Sequence, residues 1–349
     1  MTSLRIGDRA IGRGHRVFVI AEVAQAHDGS LGTAHAYIDA IAVAGADAVK
    51  FQTHIAAAES TARERFRINF SHQDVTRYDY WERMEFTEEQ WIGLAEHARD
   101  KGLIFLSSAF SEAAIDLLER LGMQAWKVGS GEIASVYLVE RMARTRKPVL
   151  LSTGMATWAD IDATAQAISA HGAPYAIFQC ASKYPCPPRA WGLNAIDEIR
   201  RRYGCPVGFS DHSGAPYAGL AAAALGADLL EVHVAFSREC FGPDVVASVT
   251  TGELRMLVDG IRAIRESVES PVDKDTAAVE LEGLRALFAK SIVAARDLSP
   301  GHRLMAEDLA FKKPGSGANP SRAGEFIGRR LRMPVTRDAL ITEEIFDNE

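Results

Sequence analysis

The chain has 349 residues, 47% hydrophobic and 24% charged, with a formal net charge of −7. That is ordinary globular composition, enough for one large domain plus a small one, and an acidic balance without any basic run argues against a nucleic-acid surface. No apolar segment approaches the ~18 residues that cross a bilayer, and the charged first residues hold no apolar core of an export signal. Cys180, Cys186, Cys205 and Cys240 show no C-x-x-C spacing. A reducing cytoplasm is therefore expected, rather than a disulfide framework or a zinc site.

Residues 1–15 are polar and spotted with glycine, which predicts a leading hairpin. From Val17 onward, strand-like runs recur at Val17–Val23, Ala48–Thr53, Ile104–Ala109, Ala125–Gly129, Pro148–Thr153, Tyr175–Ala181, Pro206–Ser210 and Leu229–Val234. Most are nearly continuous in apolar residues, as buried parallel strands are. Helical patterns separate them. Thr87 to Gln90 and Thr250 to Glu253 read as capping boxes, and Ser111 as a helix cap. Eight strands alternating with helices over about 250 residues match a closed (β/α)8 TIM barrel. An open doubly wound sheet is the alternative, but the first strand lacks the G-x-G-x-x-G turn of dinucleotide binding.

The stretch between Thr53 and Trp91, rich in charge and aromatics, is too long for a simple connection and is expected to cover a site. The barrel is expected over 1–270, a linker carrying Pro271 over 271–285, and a small compact domain over 286–349. About sixty residues bury only a thin core, so that domain is expected to dock on another surface. Within it, Arg296-Asp297 to Leu309 is echoed weakly by Arg337-Asp338 to Ile345.

In a barrel, polar residues at strand C-termini face the active site. Here these are Glu22, Lys50, Gln52, Ser107, Ser108, Lys127, Ser130, Glu132, Ser152, Ser182, Tyr184, Ser210, His212 and His233. His212 and His233 flank one strand–helix–strand unit, whose parallel strands end at the same edge, so the two imidazoles are expected side by side. Such a pair can hold a divalent metal, although each histidine alone can equally serve a local hydrogen bond. The lysines, hydroxyls and glycine turns make a donor-rich bowl for phosphate or carboxylate. Two carboxylates in it can divide acid and base roles. Together these groups suggest a metal-assisted reaction joining a phosphorylated anion to a carbonyl compound. A Schiff base on Lys50 or Lys127 is the rival, and the histidine pair counts against it.

Ile20-Ala21-Glu22-Val23, His27-Asp28-Gly29, Lys50-Phe51-Gln52, Trp126-Lys127-Val128-Gly129-Ser130-Gly131-Glu132, Leu151-Ser152-Thr153-Gly154, Tyr184-Pro185, Ser210-Asp211-His212 and Gly242-Pro243-Asp244 resemble the motifs of sialic acid (nonulosonate) synthases, in order and over nearly the whole chain. Residues 290–349 resemble that family's antifreeze-like SAF domain, a β-clip type fold. The resemblance implies condensation of phosphoenolpyruvate with an N-acyl aldose such as N-acetylmannosamine or a diacetamido-dideoxy relative. It also implies manganese or magnesium on His212 and His233. Lys50, Ser108, Lys127, Ser130, Ser152, Ser182 and Ser210 would hold phosphoenolpyruvate, and Glu22 and Glu132 would handle protons and the attacking water. Gln52, Tyr184 and Asp244 would meet the sugar, with Lys313 standing where the family has an arginine. A cytoplasmic homodimer, the small domain of one chain capping the barrel of the other, is implied as well. Ala24 and Ala26 depart from the family's glycine and asparagine, and Val232, Val234 and Ala235 also depart from its pattern. The alternatives are a 3-deoxy-sugar-acid synthase, which would lack such a tail, and a catalytically silent sugar-binding homologue.

Overall fold

The computed structural model describes residues 3–66, 68–180 and 182–347, so Ala181, the last residue of one expected strand, lies outside them. The chain divides into two compact units, Met1–Ser270 and Pro271–Glu349.

In the first unit, β1 (Leu4–Ile6) and β2 (Arg9–Ile11) form the leading antiparallel hairpin. Eight parallel strands follow: β3 (Phe18–Ala24), β4 (Ala48–Thr53), β5 (Ile104–Ala109), β6 (Trp126–Val128), β7 (Val149–Ser152), β8 (Tyr175–Cys180), β9 (Val207–Asp211) and β10 (Leu229–Ala235). Each pairs with the next, and β10 pairs with both β9 and β3, which closes the ring. All eight runs expected from sequence are strands. Their ends shift by one residue at most, because apolar runs specify burial more sharply than the last ladder bond.

The helices between them start where side-chain oxygens can satisfy the first free N–H groups. Thr87 and Thr250 close full capping boxes with Gln90 and Glu253, and Ser111 Oγ accepts from Ala114 N at 3.2 Å. The helix Leu31–Ala44 ends at Gly45, whose φ of +81° suits a residue without Cβ. Outward strand residues such as Val19, Val49 and Leu151 pack against the helices' buried stripes.

Residues facing the barrel axis form a second, separate cluster. Phe18, Ile20, Leu106, Leu150 and Phe178 fill the interior together with Leu4, Ile6 and Ile11 of the hairpin, which therefore stops one end. Burying a ring such as Phe178 contributes roughly 2–3 kcal/mol. Gly208 of β9 makes room for that ring, since a Cβ there would overlap it. With this end dry and packed, the inward polar residues collect at the strands' C-terminal ends.

In the second unit, short helices Lys274–Glu280 and Glu282–Phe288 occupy most of the stretch expected as linker. Strands Ser291–Ala294 and Leu309–Lys312 pair antiparallel. Ile292, Leu304, Phe326, Leu331, Ile341 and Phe346 form its small core. Asp308, fully buried, accepts hydrogen bonds from Arg296, Met305 N and His302, and so ties three segments together. Both halves of the weak internal echo carry a 3-10 turn, Ala306–Asp308 and Glu343–Ile345. Among the described residues no helix is long and apolar enough to cross a membrane, and all four thiols are free.

Candidate active site

Strand register sets the site. β3 and β4 place Glu22 beside Lys50, β5 and β6 place Ser108 beside Lys127, and β10 sets His233 against Glu22 and Glu231 against Ser210. The period of two on each strand then turns Lys50 and Gln52, and likewise Glu231 and His233, to the same side. Lys50 forms a buried ion pair with Glu22 and donates to Ser108 Oγ at 3.1 Å. Lys127 donates to Ser152 Oγ at 2.8 Å, and its Nζ lies 3.1 Å from Glu231 Oε1. The ammonium of Lys127 also sits 5.3 Å from the centroid of the Phe178 ring, so the apolar plug directly underlies the charged layer.

Two ammonium groups and two carboxylates thus balance one another out of water, which is the condition for burying any of them. Burial, reinforced by the nearby Glu231 charge, pushes the Glu22 carboxyl up to about 7 against the pull of Lys50. Burial also opposes the charge of Glu231, yet Lys127 and Lys50 outweigh it and hold that carboxyl below its ordinary range. Lys50 is disfavoured by burial, but Glu22 and Glu231 more than restore its charge. The two carboxylates are therefore unlike, one poised near neutrality and one firmly ionised.

The inner cavity over this layer has a volume of about 200 Å³ and is also lined by Ser130, Ser182, Ser210, Tyr184 and the two histidines. Ser130 Oγ accepts from Gly154 N at 3.0 Å, which fixes the turn that follows β6. The His212 and His233 rings lie 5.2 Å apart between centroids, with Tyr184 4.3 Å from His212. Burial, then repulsion from His212 and both lysines, drives His233 well below the ordinary histidine range, so its imidazole is neutral, the form that ligates a metal. Among the described residues no group of three or more His, Cys, Asp or Glu side chains gathers to hold a metal. Two imidazoles beside an open cavity fit an ion whose remaining positions go to substrate or water.

A second cavity, also of about 200 Å³, shares Gln52, Tyr184 and His233 with the first and adds Asp244. Its wall comes from the long insertion expected to cover a site: Phe66, Ile68, Phe70, Tyr80 and Trp81. Glu132 stands apart from the buried layer. It is half-buried beside Glu59 and His54, and burial raises its carboxyl while a Ser135 hydrogen bond partly offsets that. Lys313 belongs to the second unit, where its ammonium lies 4.8 Å from the Phe288 ring centroid. Spacing along the sequence does not by itself single out Glu231, Gln25 or His54. For Glu231 the signal was available, because it lies two residues before His233 on one strand and so shares its face.

The fold and the rim define a (β/α)8-barrel protein with a charge-balanced buried layer at the strands' C-terminal ends, followed by a small β-rich domain. This chain belongs to the NeuB family: the model of that family matches residues 37–273, and the SAF domain model matches 289–345. It is 32% identical to an N,N'-diacetyllegionaminic acid synthase of Legionella pneumophila over 331 residues, 91% of each chain. It is 29% identical to the N-acetylneuraminate-9-phosphate synthase of Homo sapiens, over 97% of this chain and 95% of that one. Among solved structures, an N-acetylneuraminic acid synthetase from Leptospira borgpetersenii in complex with citrate aligns with TM-score 0.72 at 28% identity. That alignment covers 81% of this chain and 96% of the other.

Proposed function

We propose that this chain is a nonulosonic acid synthase. It condenses phosphoenolpyruvate with an N-acyl aldose, N-acetylmannosamine or a diacetamido-dideoxy relative, and releases phosphate by C–O cleavage. The observation that carries this reading is the buried layer in which Lys50 and Lys127 are held by Glu22, Glu231, Ser108 and Ser152 beneath a paired His212 and His233. It is a preorganised receptor for a small polyanion next to a carbonyl-binding position.

In this reading Lys50, Ser108, Lys127, Ser130, Ser152, Ser182 and Ser210 hold phosphoenolpyruvate. The four charges of the layer cancel, so an incoming polyanion is accommodated best when a carboxylate takes up a proton. Glu22, poised at about 7, is the group that does so. C3 of phosphoenolpyruvate attacks the open-chain aldehyde, water adds at C2, and the C–O bond to phosphate breaks. Glu22 and Glu132, both with raised carboxyls, move the protons of these steps. Gln52, Tyr184, Asp244 and Lys313 meet the sugar. Manganese or magnesium held by His212 and His233 would supply Lewis-acid stabilisation of the aldehyde oxygen.

The same reading includes a cytoplasmic homodimer in which one chain's C-terminal unit caps the partner barrel. Exposed Val279, Leu281, Leu284, Leu287 and Phe288 provide apolar surface for such an assembly, and sedimentation velocity reads whether the chain is a dimer. For the chemistry, phosphoenolpyruvate carrying ¹⁸O in the bridging position is incubated with metal and a panel of N-acyl aldoses. Label is expected in the released phosphate, with a new sugar acid detected by mass spectrometry. Label retained in the product would rule out C–O cleavage, and no phosphate release with any sugar would end the proposal.

A further inference from the structure

We propose that His54 is a positioning residue that sets the hydrogen-bond polarity of the outer cavity. It orients Gln52 so that a polar group of the acceptor sugar meets the amide NH2 of that residue rather than its carbonyl oxygen. The inference rests on the sugar-condensing reading above and names how that reading's acceptor pocket discriminates.

His54 is buried, its ring stacked between Trp81, 3.8 Å away at 15°, and Phe110, 4.4 Å away at 4°. Two parallel aromatic faces leave the imidazole no freedom but rotation in its own plane, and that rotation is stopped at both nitrogens. Nδ1 lies 2.5 Å from Glu59 Oε1, and Nε2 lies 3.3 Å from Gln52 Oε1. The other Glu59 oxygen accepts from Ile55 N at 3.3 Å, so the carboxylate is itself anchored. Each ring nitrogen faces an oxygen. The Glu59 contact fixes the ring in its plane and aims Nε2 at the Gln52 carbonyl oxygen.

Gln52 Oε1 accepts a second bond, from Gln25 Nε2 at 3.2 Å. A carbonyl oxygen has two lone pairs, so both are used, and the Gln52 amide NH2 is what remains for the cavity it lines. Gln25 gives one of its two N–H groups to Gln52, which holds the Gln52 carbonyl in place from the other side. A ligand group that accepts from the Gln52 NH2 is matched there, whereas a group that can only donate is not. His54 decides which end of the Gln52 amide faces the cavity.

The test uses the full-length protein with metal. His54→Phe keeps the three-ring stack and removes both ring nitrogens, while Glu59→Gln keeps the shape and removes the anchoring charge. Both are expected to raise the KM for the sugar about tenfold, the scale of one well-made hydrogen bond, with the KM for phosphoenolpyruvate unchanged within about twofold. A sugar KM that does not move, or equal rises in both KM values, would overturn the proposal. Should His54→Phe fail to fold, Glu59→Gln carries the kinetic arm alone. In ¹⁵N-histidine NMR, the His54 Nδ1 signal is expected to shift between the wild type and Glu59→Gln. If the wild type releases no phosphate with any sugar, the synthase reading has failed and this spectrum judges the orienting chain by itself. A shifted Nδ1 supports the chain, and an unmoved one overturns it.

Discussion

Lys127 and Glu231 meet inside the barrel, Nζ to Oε1 3.1 Å, on strands that do not pair with each other. Both side chains are more than nine-tenths buried. Neither charge could stay there alone, and the contact ties β6 to β10 across the axis rather than along the sheet.

Glu231→Gln is therefore expected to leave the buried layer with an excess positive charge and to lower stability by about 3 kcal/mol. Phosphoenolpyruvate should repair part of that loss by supplying the missing anion. The thermal shift it induces is expected to be larger in the variant than in the wild type, read by scanning fluorimetry. Equal shifts would mean that Glu231 does not balance the anion site.

Gly208 lies against the face of Phe178, the ring beneath Lys127. Gly208→Ala is expected to push that ring off its rotamer and to destabilise the barrel by about 1–3 kcal/mol. Urea unfolding followed through the tryptophans, all of which lie in the first unit, measures it. A cost under a few tenths of a kcal/mol would show that the plug is loosely packed.

Ala24 ends β3 at a bulge with φ +49°, in the left-handed region that glycine occupies freely. Relief of that strain, about 1–2 kcal/mol, exceeds the unfolded-state entropy that glycine adds, about 0.5–1 kcal/mol. Ala24→Gly is thus expected to stabilise by about 0.5 kcal/mol, visible as a higher urea midpoint. A lower midpoint would contradict the sign.

In the second unit, burial would raise the Asp308 carboxyl, yet hydrogen bonds from His302, Met305 N and Arg296 overcome it and hold it at about 2. A carboxyl depressed on folding stabilises above its unfolded value of 3.8, and the contribution fades as pH falls from there to about 2. Asp308→Asn should accordingly speed amide exchange at Ile292, Val293 and Ala294 near neutral pH, with the difference shrinking toward pH 2. A difference independent of pH would show that the charge is not what matters.

His212 and His233 give the last expectation. Chelation should stop turnover and added manganese or magnesium should restore it, while His233→Ala stays inactive with either metal and keeps the barrel's circular dichroism. Undiminished turnover in His233→Ala would remove it from the metal set.

Much of this protein is determined by its sequence alone, and the reason is local. Apolar runs such as Val149 to Leu151 read as buried strands because a strand covered on both faces needs no alternation. Thr87 and Thr250 announced their helices because a cap and its partner lie three residues apart. The nearness of His212 and His233 followed from a single strand–helix–strand unit, since parallel strands end at one edge. What the tertiary structure alone decided lies across the barrel or between remote segments. Glu231 acquires its partner only when β6 and β10 come round the ring, and Glu132 lies beside Glu59 and His54 rather than with the lysines. The orientation of Gln52 depends on a histidine gripped by rings from the insertion and from the end of β5. Long-range closure places such groups within a hydrogen bond of one another, and spacing along the chain carries no trace of that distance.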